Sequence, residues 1–132
     1  MDYYFRFLNI NSKLLFTVGE NKGTEDNGGY GERTMFDMFD LKLIEGDRQT
    51  ILTQPKSVAL SQTLAKKYFG DKPALGQAIR IGTEDTFVSG VYEDFPTHSS
   101  IHINYLLRLE DLASAIGGRM LSWQWRPVYY LH

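Results

Sequence analysis

The 132-residue sequence has no cysteine, which removes disulfides, thiolate zinc sites and cysteine nucleophiles together. It also lacks a long apolar run. The best stretch, Leu14-Leu15-Phe16, falls far short of the roughly 18 residues that a membrane-spanning helix needs. An excess of one charge is missing too: 14 basic and 16 acidic residues are interspersed to a net −2. That leaves no electrostatic footprint for gripping a phosphate backbone, so no nucleic-acid partner is expected. The opening Met1-Asp2-Tyr3-Tyr4-Phe5-Arg6 has no basic patch, apolar core or small-residue cleavage site of a signal peptide. What is present, 42% hydrophobic and 23% charged residues, is the composition of a globular chain rather than a disordered one. At this length a single folding unit over residues 1–132 is expected.

Residues 3–10 and 13–18 are rich in aromatic and β-preferring side chains and read as two strands, natural partners across Asn9-Ile10-Asn11-Ser12. Residues 19–31 are polar and glycine-rich with no apolar period, and read as a long loop. Thr34 is placed to cap a short helical turn carrying Met35, Phe36, Met38 and Phe39. Leu41, Leu43 and Ile44 then read as a short strand, Glu45-Gly46-Asp47-Arg48 as a turn, and residues 49–53 as a returning hairpin partner ended by Pro55.

The plainest element follows. Residues 57–60 read as a strand, Ser61 as the N-cap of a helix over 62–69, and Leu64/Tyr68 and Ala65/Phe69 as i,i+4 pairs on its apolar stripe. Lys66 and Lys67 suit the negative end of the helix dipole, and Gly70 supplies a left-handed stop. Residues 78–81 and 86–92 alternate as a hairpin around Gly82-Thr83-Glu84-Asp85. Residues 101–105 resume alternation, 110–116 read as a second helix closed by Gly117-Gly118, and 122–131 as an aromatic strand. The fold class is therefore α+β, a mixed sheet of short strands packed with one well-defined helix at 61–69 and one or two shorter helices.

Residue chemistry points more weakly to catalysis. His98 and His102 are four apart, but the spacing spans a proline-serine turn and a strand rather than a helix, so a metal pair completed by Asp94 is less plain than two ordinary histidines. No nucleophile elbow surrounds Ser89 or Ser99. Gly28-Gly29-Tyr30-Gly31 lacks the Lys-Ser/Thr of a phosphate loop, and Glu25-Asp26-Asn27-Gly28 is too short for a calcium loop. Glu84-Asp85 and Glu93-Asp94 are sequence neighbours, which point to opposite faces of a strand and do not cooperate as acid and base. No catalytic, cofactor or metal residue is assigned. The terminal strand is different: Trp123, Trp125, Tyr129 and Leu131 share one parity, and Pro127 suggests a reachable edge. Its aromatic row reads first as core, and second as a platform for a sugar or a protein partner, with Trp123, Trp125, Tyr129 and Tyr130 as the candidate surface.

Specific runs add a resemblance. Phe36-Asp37-Met38-Phe39-Asp40, Glu45-Gly46-Asp47, Ser57-Val58-Ala59-Leu60-Ser61, Ala65-Lys66-Lys67-Tyr68-Phe69-Gly70, Leu75-Gly76 and Val88-Ser89-Gly90-Val91-Tyr92-Glu93-Asp94-Phe95-Pro96 occur in order. Together with Trp123 and Tyr129-Tyr130 they resemble the periplasmic core domain of MacB-like ABC transporter permeases of the FtsX-like superfamily, in the form common in Bacteroidetes, best over residues 36–131. Residues 1–33 match only loosely. The resemblance implies an extracytoplasmic domain lying between the first and second membrane helices of a larger permease, on the periplasmic face of the inner membrane. It implies a mechanical, non-enzymatic part in export, without a cofactor. The implied partners are a separate cytoplasmic ABC ATPase, a second permease chain, and a periplasmic adaptor or lipoprotein. In that light Phe36 and Phe39 are core anchors, Ser61 a cap, Gly70 a helix stop, and Gly90 relieves close packing. The rival expectations are an extracellular carbohydrate-binding module using the aromatic strand and, more distantly, a small hydrolase using His98.

Overall fold

Val58, Leu60, Tyr105 and Leu107 belong to one apolar core while Ala59 and Leu106, between them in the chain, belong to another. A strand's period of two thus sorts the side chains of one sheet onto two buried faces. The computed structural model describes residues 2–10, 13–38, 41–97, 102–108, 111 and 123–131. Its strands are β1 (Asp2–Ile10), β2 (Leu14–Val18), β3 (Asn21–Glu25), β4 (Gly28–Gly31), β5 (Leu43–Glu45), β6 (Ser57–Ser61), β7 (Ala78–Ile81), β8 (Glu84–Tyr92), β9 (Tyr105–Arg108) and β10 (Trp123–Leu131), with helices α1 (Met35–Met38) and α2 (Gln62–Phe69). They form one sheet in the order β10-β1-β4-β9-β6-β8-β7-β2-β3, with β5 added beside β8. The β4/β9 and β6/β8 ladders are parallel and the others antiparallel. This is the α+β mixed sheet that the sequence predicts.

α2 forms for local reasons. The Ser61 hydroxyl accepts from the Leu64 amide at 3.4 Å, and the Asp94 carboxylate accepts from the Thr63 amide at 3.1 Å, so two of the orphan N–H groups of the first turn are satisfied. Gly70, at φ 64°, ends it by donating to the Lys66 carbonyl at 2.9 Å. Leu64, Ala65 and Tyr68 are buried against the sheet. The β7/β8 hairpin forms, but its turn is Gly82-Thr83 alone rather than residues 82–85: Glu84 and Asp85 already pair with Ile81 and Arg80, because Gly82 at φ 62° reverses the chain in two residues.

Elsewhere the tertiary structure overrides the local reading. Residues 19–31 are not a loop: Gly19, at φ 58°, turns β2 back into β3, and β4 lies inside the sheet between β1 and β9. The apolar period is missing because β3 is an outer strand whose buried residue is Glu25, and because β4 has three glycines in four residues. Glycine at 28 is required, since a Cβ there would collide with the Tyr105 ring. β1 and β2 do not pair with each other; β1 lies between β10 and β4, and β2 between β3 and β7. Residues 49–53 do not return as a strand. The Asp47 carbonyl takes the Thr50 and Ile51 amides at 3.1 and 2.8 Å, winding a turn that buries Ile51 and Leu52, and β5 pairs with β8 instead. Regular pairing after residue 101 begins only at Tyr105, because the Ile103 carbonyl accepts the Tyr92 hydroxyl at 2.7 Å and the Asn104 amide donates to Asn27 at 2.8 Å. Phe39 and the helix predicted over residues 110–116 with its Gly117-Gly118 stop lie outside the described residues, apart from Asp111.

The sheet curls strongly. Phe16 of β2 packs edge-on to Tyr105 of β9 with ring centroids 4.9 Å apart, although β6, β8 and β7 stand between those strands. The face carrying Phe16, Leu60 and Tyr105 is therefore concave, and α2 lies in it.

Candidate functional site

The concave interior has two ends, and sequence direction along β6 distinguishes them. α2 begins directly after Ser61 and fills the first end with Leu64 and Tyr68. That closure is fastened by polar contacts to β3: the Glu25 carboxylate accepts from the Tyr68 hydroxyl at 2.5 Å and from Lys67 Nζ at 2.6 Å, while Asn21 donates to the Tyr68 carbonyl at 3.3 Å. Burial, reinforced by the hydrogen bond to Glu25, holds the Tyr68 phenol well above its ordinary pKa.

Lys56 precedes β6 and marks the other end, where a cavity of about 150 Å³ opens. Leu14, Tyr30, Ile81, Thr86 and Leu107 line its floor, one from each of β2, β4, β7, β8 and β9. The Thr86 hydroxyl is already engaged, donating to the Ile79 carbonyl at 2.7 Å. Lys56, Glu84 and Asp111 form the rim. Lys56 adopts φ 57°, unusual for a side-chain-bearing residue, and its amide donates to Asp111 Oδ2 at 2.7 Å. Arg108 donates to Asp111 Oδ1 at 3.1 Å, and Lys56 Nζ lies 3.9 Å from Glu84. Desolvation pushes the Tyr30 phenol up to about 12, with Asp111 and Glu84 adding to the effect. The result is an apolar hollow with a charge-balanced lip. Deeper in the same core, the fully buried Tyr105 hydroxyl has no hydrogen-bond partner among the described residues.

The residues singled out from sequence are not gathered here. Trp123, Trp125, Tyr129 and Tyr130 lie on β10, which among the described strands is the outermost beside β1, opposite Ile10, Leu8, Tyr4 and Tyr3 respectively. This agrees with the edge position that Pro127 suggested; the exposure of the four side chains lies outside the described residues. His98 and Ser99 also lie outside them. His102 is exposed beside Phe95 at a cleft of about 220 Å³ that it shares with Asp94, Thr63 and Asn104. Asp94 is occupied with capping α2, its second oxygen accepting from the Thr63 hydroxyl at 2.6 Å, and the described residues contain no group of three side chains able to hold a metal. Ser89 is buried, donating to the Val58 carbonyl at 3.3 Å and accepting from the Leu52 amide at 3.2 Å. Each paired carboxylate has its own partner: Glu84 with Lys56, Asp85 with Arg80, Glu93 with the Lys42 amide. Tyr30, Lys56 and Asp111 converge only in the folded chain, and no spacing in the sequence signals it. Among the described residues, no helix is long and apolar enough to cross a membrane.

The profile of the family described as the MacB-like periplasmic core domain matches residues 7–121, reaching well upstream of the runs that begin at Phe36. No curated protein matches significantly. Among solved structures, a domain of a protein classed as a permease from Porphyromonas gingivalis superimposes with a TM-score of 0.73 at 23% identity, covering 98% of this chain and 59% of that one. The periplasmic region of MacB from Actinobacillus actinomycetemcomitans gives 0.66 at 22% identity, over 86% and 51%. The extracellular domain of the noncanonic ABC-type transporter YknZ from Gram-positive bacteria gives 0.67 at 15% identity, over 94% and 63%. These likenesses are of fold, and this chain spans between 51% and 63% of the structures it resembles.

Proposed function

The chain belongs to the MacB-like periplasmic core domain family, and from that premise we propose that it is the extracytoplasmic domain of an ABC transporter permease, one unit over residues 1–132 at the periplasmic face of the inner membrane. Its role is mechanical and non-enzymatic: it moves as a body when a separate cytoplasmic ATPase drives the membrane helices, in concert with a second permease chain and a periplasmic adaptor or lipoprotein. The observation that carries this reading is the continuous sheet wedged between two cores. Such a body resists bending, because sliding one strand breaks its ladder and disturbs packing on both faces. The edge strand β10, bearing Trp123, Trp125, Tyr129 and Tyr130, is the surface we assign to partner contact.

The test uses the absence of native cysteine. In the full permease with its ATPase, freed of any other cysteine, a spin label at exposed position 72 (Lys72→Cys) reports the distance between the two permease copies. Several ångströms of change between nucleotide-free and ATP-bound states are expected. An unchanged distance in a complex that still hydrolyses ATP and exports substrate overturns the proposal.

A further inference from the structure

We propose that the hollow at the mouth of the curled sheet is a binding site for a small, neutral, apolar group about the size of a phenyl ring. The inference rests on the geometry of the mouth and stands or falls apart from the transport reading.

Size is the first constraint. The cavity measures about 150 Å³, the volume at which an enclosed apolar cavity takes up benzene, and Leu14, Ile81, Leu107 and the Tyr30 ring give its floor the apolar surface such a ligand needs. The floor comes from five strands of one hydrogen-bonded sheet, so it is formed before any ligand arrives. Charge is the second. At the lip Lys56 faces Glu84, and Asp111 is held by Arg108 and by the Lys56 amide, so positive and negative groups already answer one another. A charged ligand would leave its hydration shell for an apolar floor with no unanswered counter-charge among the described residues, whereas a neutral one loses nothing comparable. Tyr30, with its phenol pushed up to about 12, adds no charge at ordinary pH.

Backbone strain is the third observation. Lys56 sits in the left-handed region at φ 57°, a conformation that a non-glycine residue keeps only when its surroundings impose it, and Asp111 does so through the Lys56 amide. Such strain collects at binding sites, where it positions side chains that would otherwise relax. Loading the hollow also requires no movement of α2, which closes the opposite end.

Methyl-resolved NMR of the full chain titrated with benzene tests the proposal. Saturable shifts are expected at Leu14, Ile81 and Leu107, with a Kd of about 1 mM. Benzoate and benzylammonium should bind about tenfold more weakly or worse. Leu14→Phe, which places a ring at the half-buried edge of the hollow, should abolish the shifts, whereas Leu15→Phe, exposed on the other side of β2, should leave them unchanged. Xenon under pressure should perturb the same methyls and needs no variant. Absence of saturable benzene or xenon shifts at these methyls overturns the site. Equal affinity for the charged analogues overturns the ligand class, and wild-type binding by folded Leu14→Phe overturns the location.

Discussion

The two faces of the sheet are closed by different means. On the concave face a regular helix, α2, brings its own cap, apolar stripe and stop, all within ten residues. The opposite face is closed by the four-residue α1 and by the turn that carries Ile51 and Leu52. There the stabilising devices come from far along the chain. Ser89 is the extra residue of a bulge in β8, between Val88, which pairs with Val58, and Gly90, which pairs with Ala59. Its hydroxyl holds the Leu52 amide, 37 positions away. Gly90 leaves room for the Ile51 side chain, and Tyr92 reaches the Ile103 carbonyl. The helix that closes one core is specified by near neighbours, with Asp94 and Glu25 only fastening it from afar, whereas a core closed by turns is specified by residues that meet only after the sheet forms.

Alkali should produce the largest effect, because it challenges both faces together. Tyr30, Tyr68 and Tyr105 lie in the concave core and Tyr92 in the other. Desolvation raises all four phenols, Tyr30 to about 12. An unfolded phenol titrates near 10. Because the folded values are higher, the stability contributed by neutral phenols is fully present below pH 10 and is lost as pH rises through the folded values. Chemical denaturation should show stability falling between pH 10 and pH 12, with the cooperative part of phenolate absorbance coinciding with loss of the sheet's circular dichroism. Ionisation of Tyr92 ahead of unfolding would separate the two faces.

Next come Leu64→Ala and Ile51→Ala, one from each core and both buried. Each should cost about 2–5 kcal/mol in denaturant unfolding. A cost below about 0.5 kcal/mol for Ile51→Ala would mean that its turn is not part of the core. The smallest effect belongs to Gly90→Ala. The new Cβ would lie 2.5 Å from Ile51 Cδ1 and 3.2 Å from the Glu45 carbonyl, so about 1–3 kcal/mol of overpacking is expected. Ile51→Val removes that methyl and should relieve roughly half of the penalty in the double mutant. No relief would show that the backbone of β5, rather than Ile51, sets the limit.

How much could be read beforehand follows the same division. Ser61, Leu64, Tyr68 and Gly70 were legible because each acts on residues three or four positions away. The β7/β8 hairpin was legible because alternation flanks a glycine turn. β3 and β4 were not, since Glu25 finds its partners on α2 and Gly28 is explained by a tyrosine 77 positions later. At the mouth, Tyr30, Lys56, Glu84 and Asp111 have no motif to betray them, and Lys56 adopts a backbone angle that its residue type disfavours. The strand character of residues 123–131 was plain from alternation, but its pairing with β1 was not.

By itself, then, the sequence determined α2 with its boundaries, the hairpin after it, the α+β class and the family, because each rests on interactions between near neighbours or on ordered runs of residues. Only the tertiary structure decided how the strands outside that hairpin pair, how far the sheet curls and where the hollow opens. Many strand pairings satisfy the same local preferences, and the choice among them is made by how completely both faces of one sheet can be buried at once.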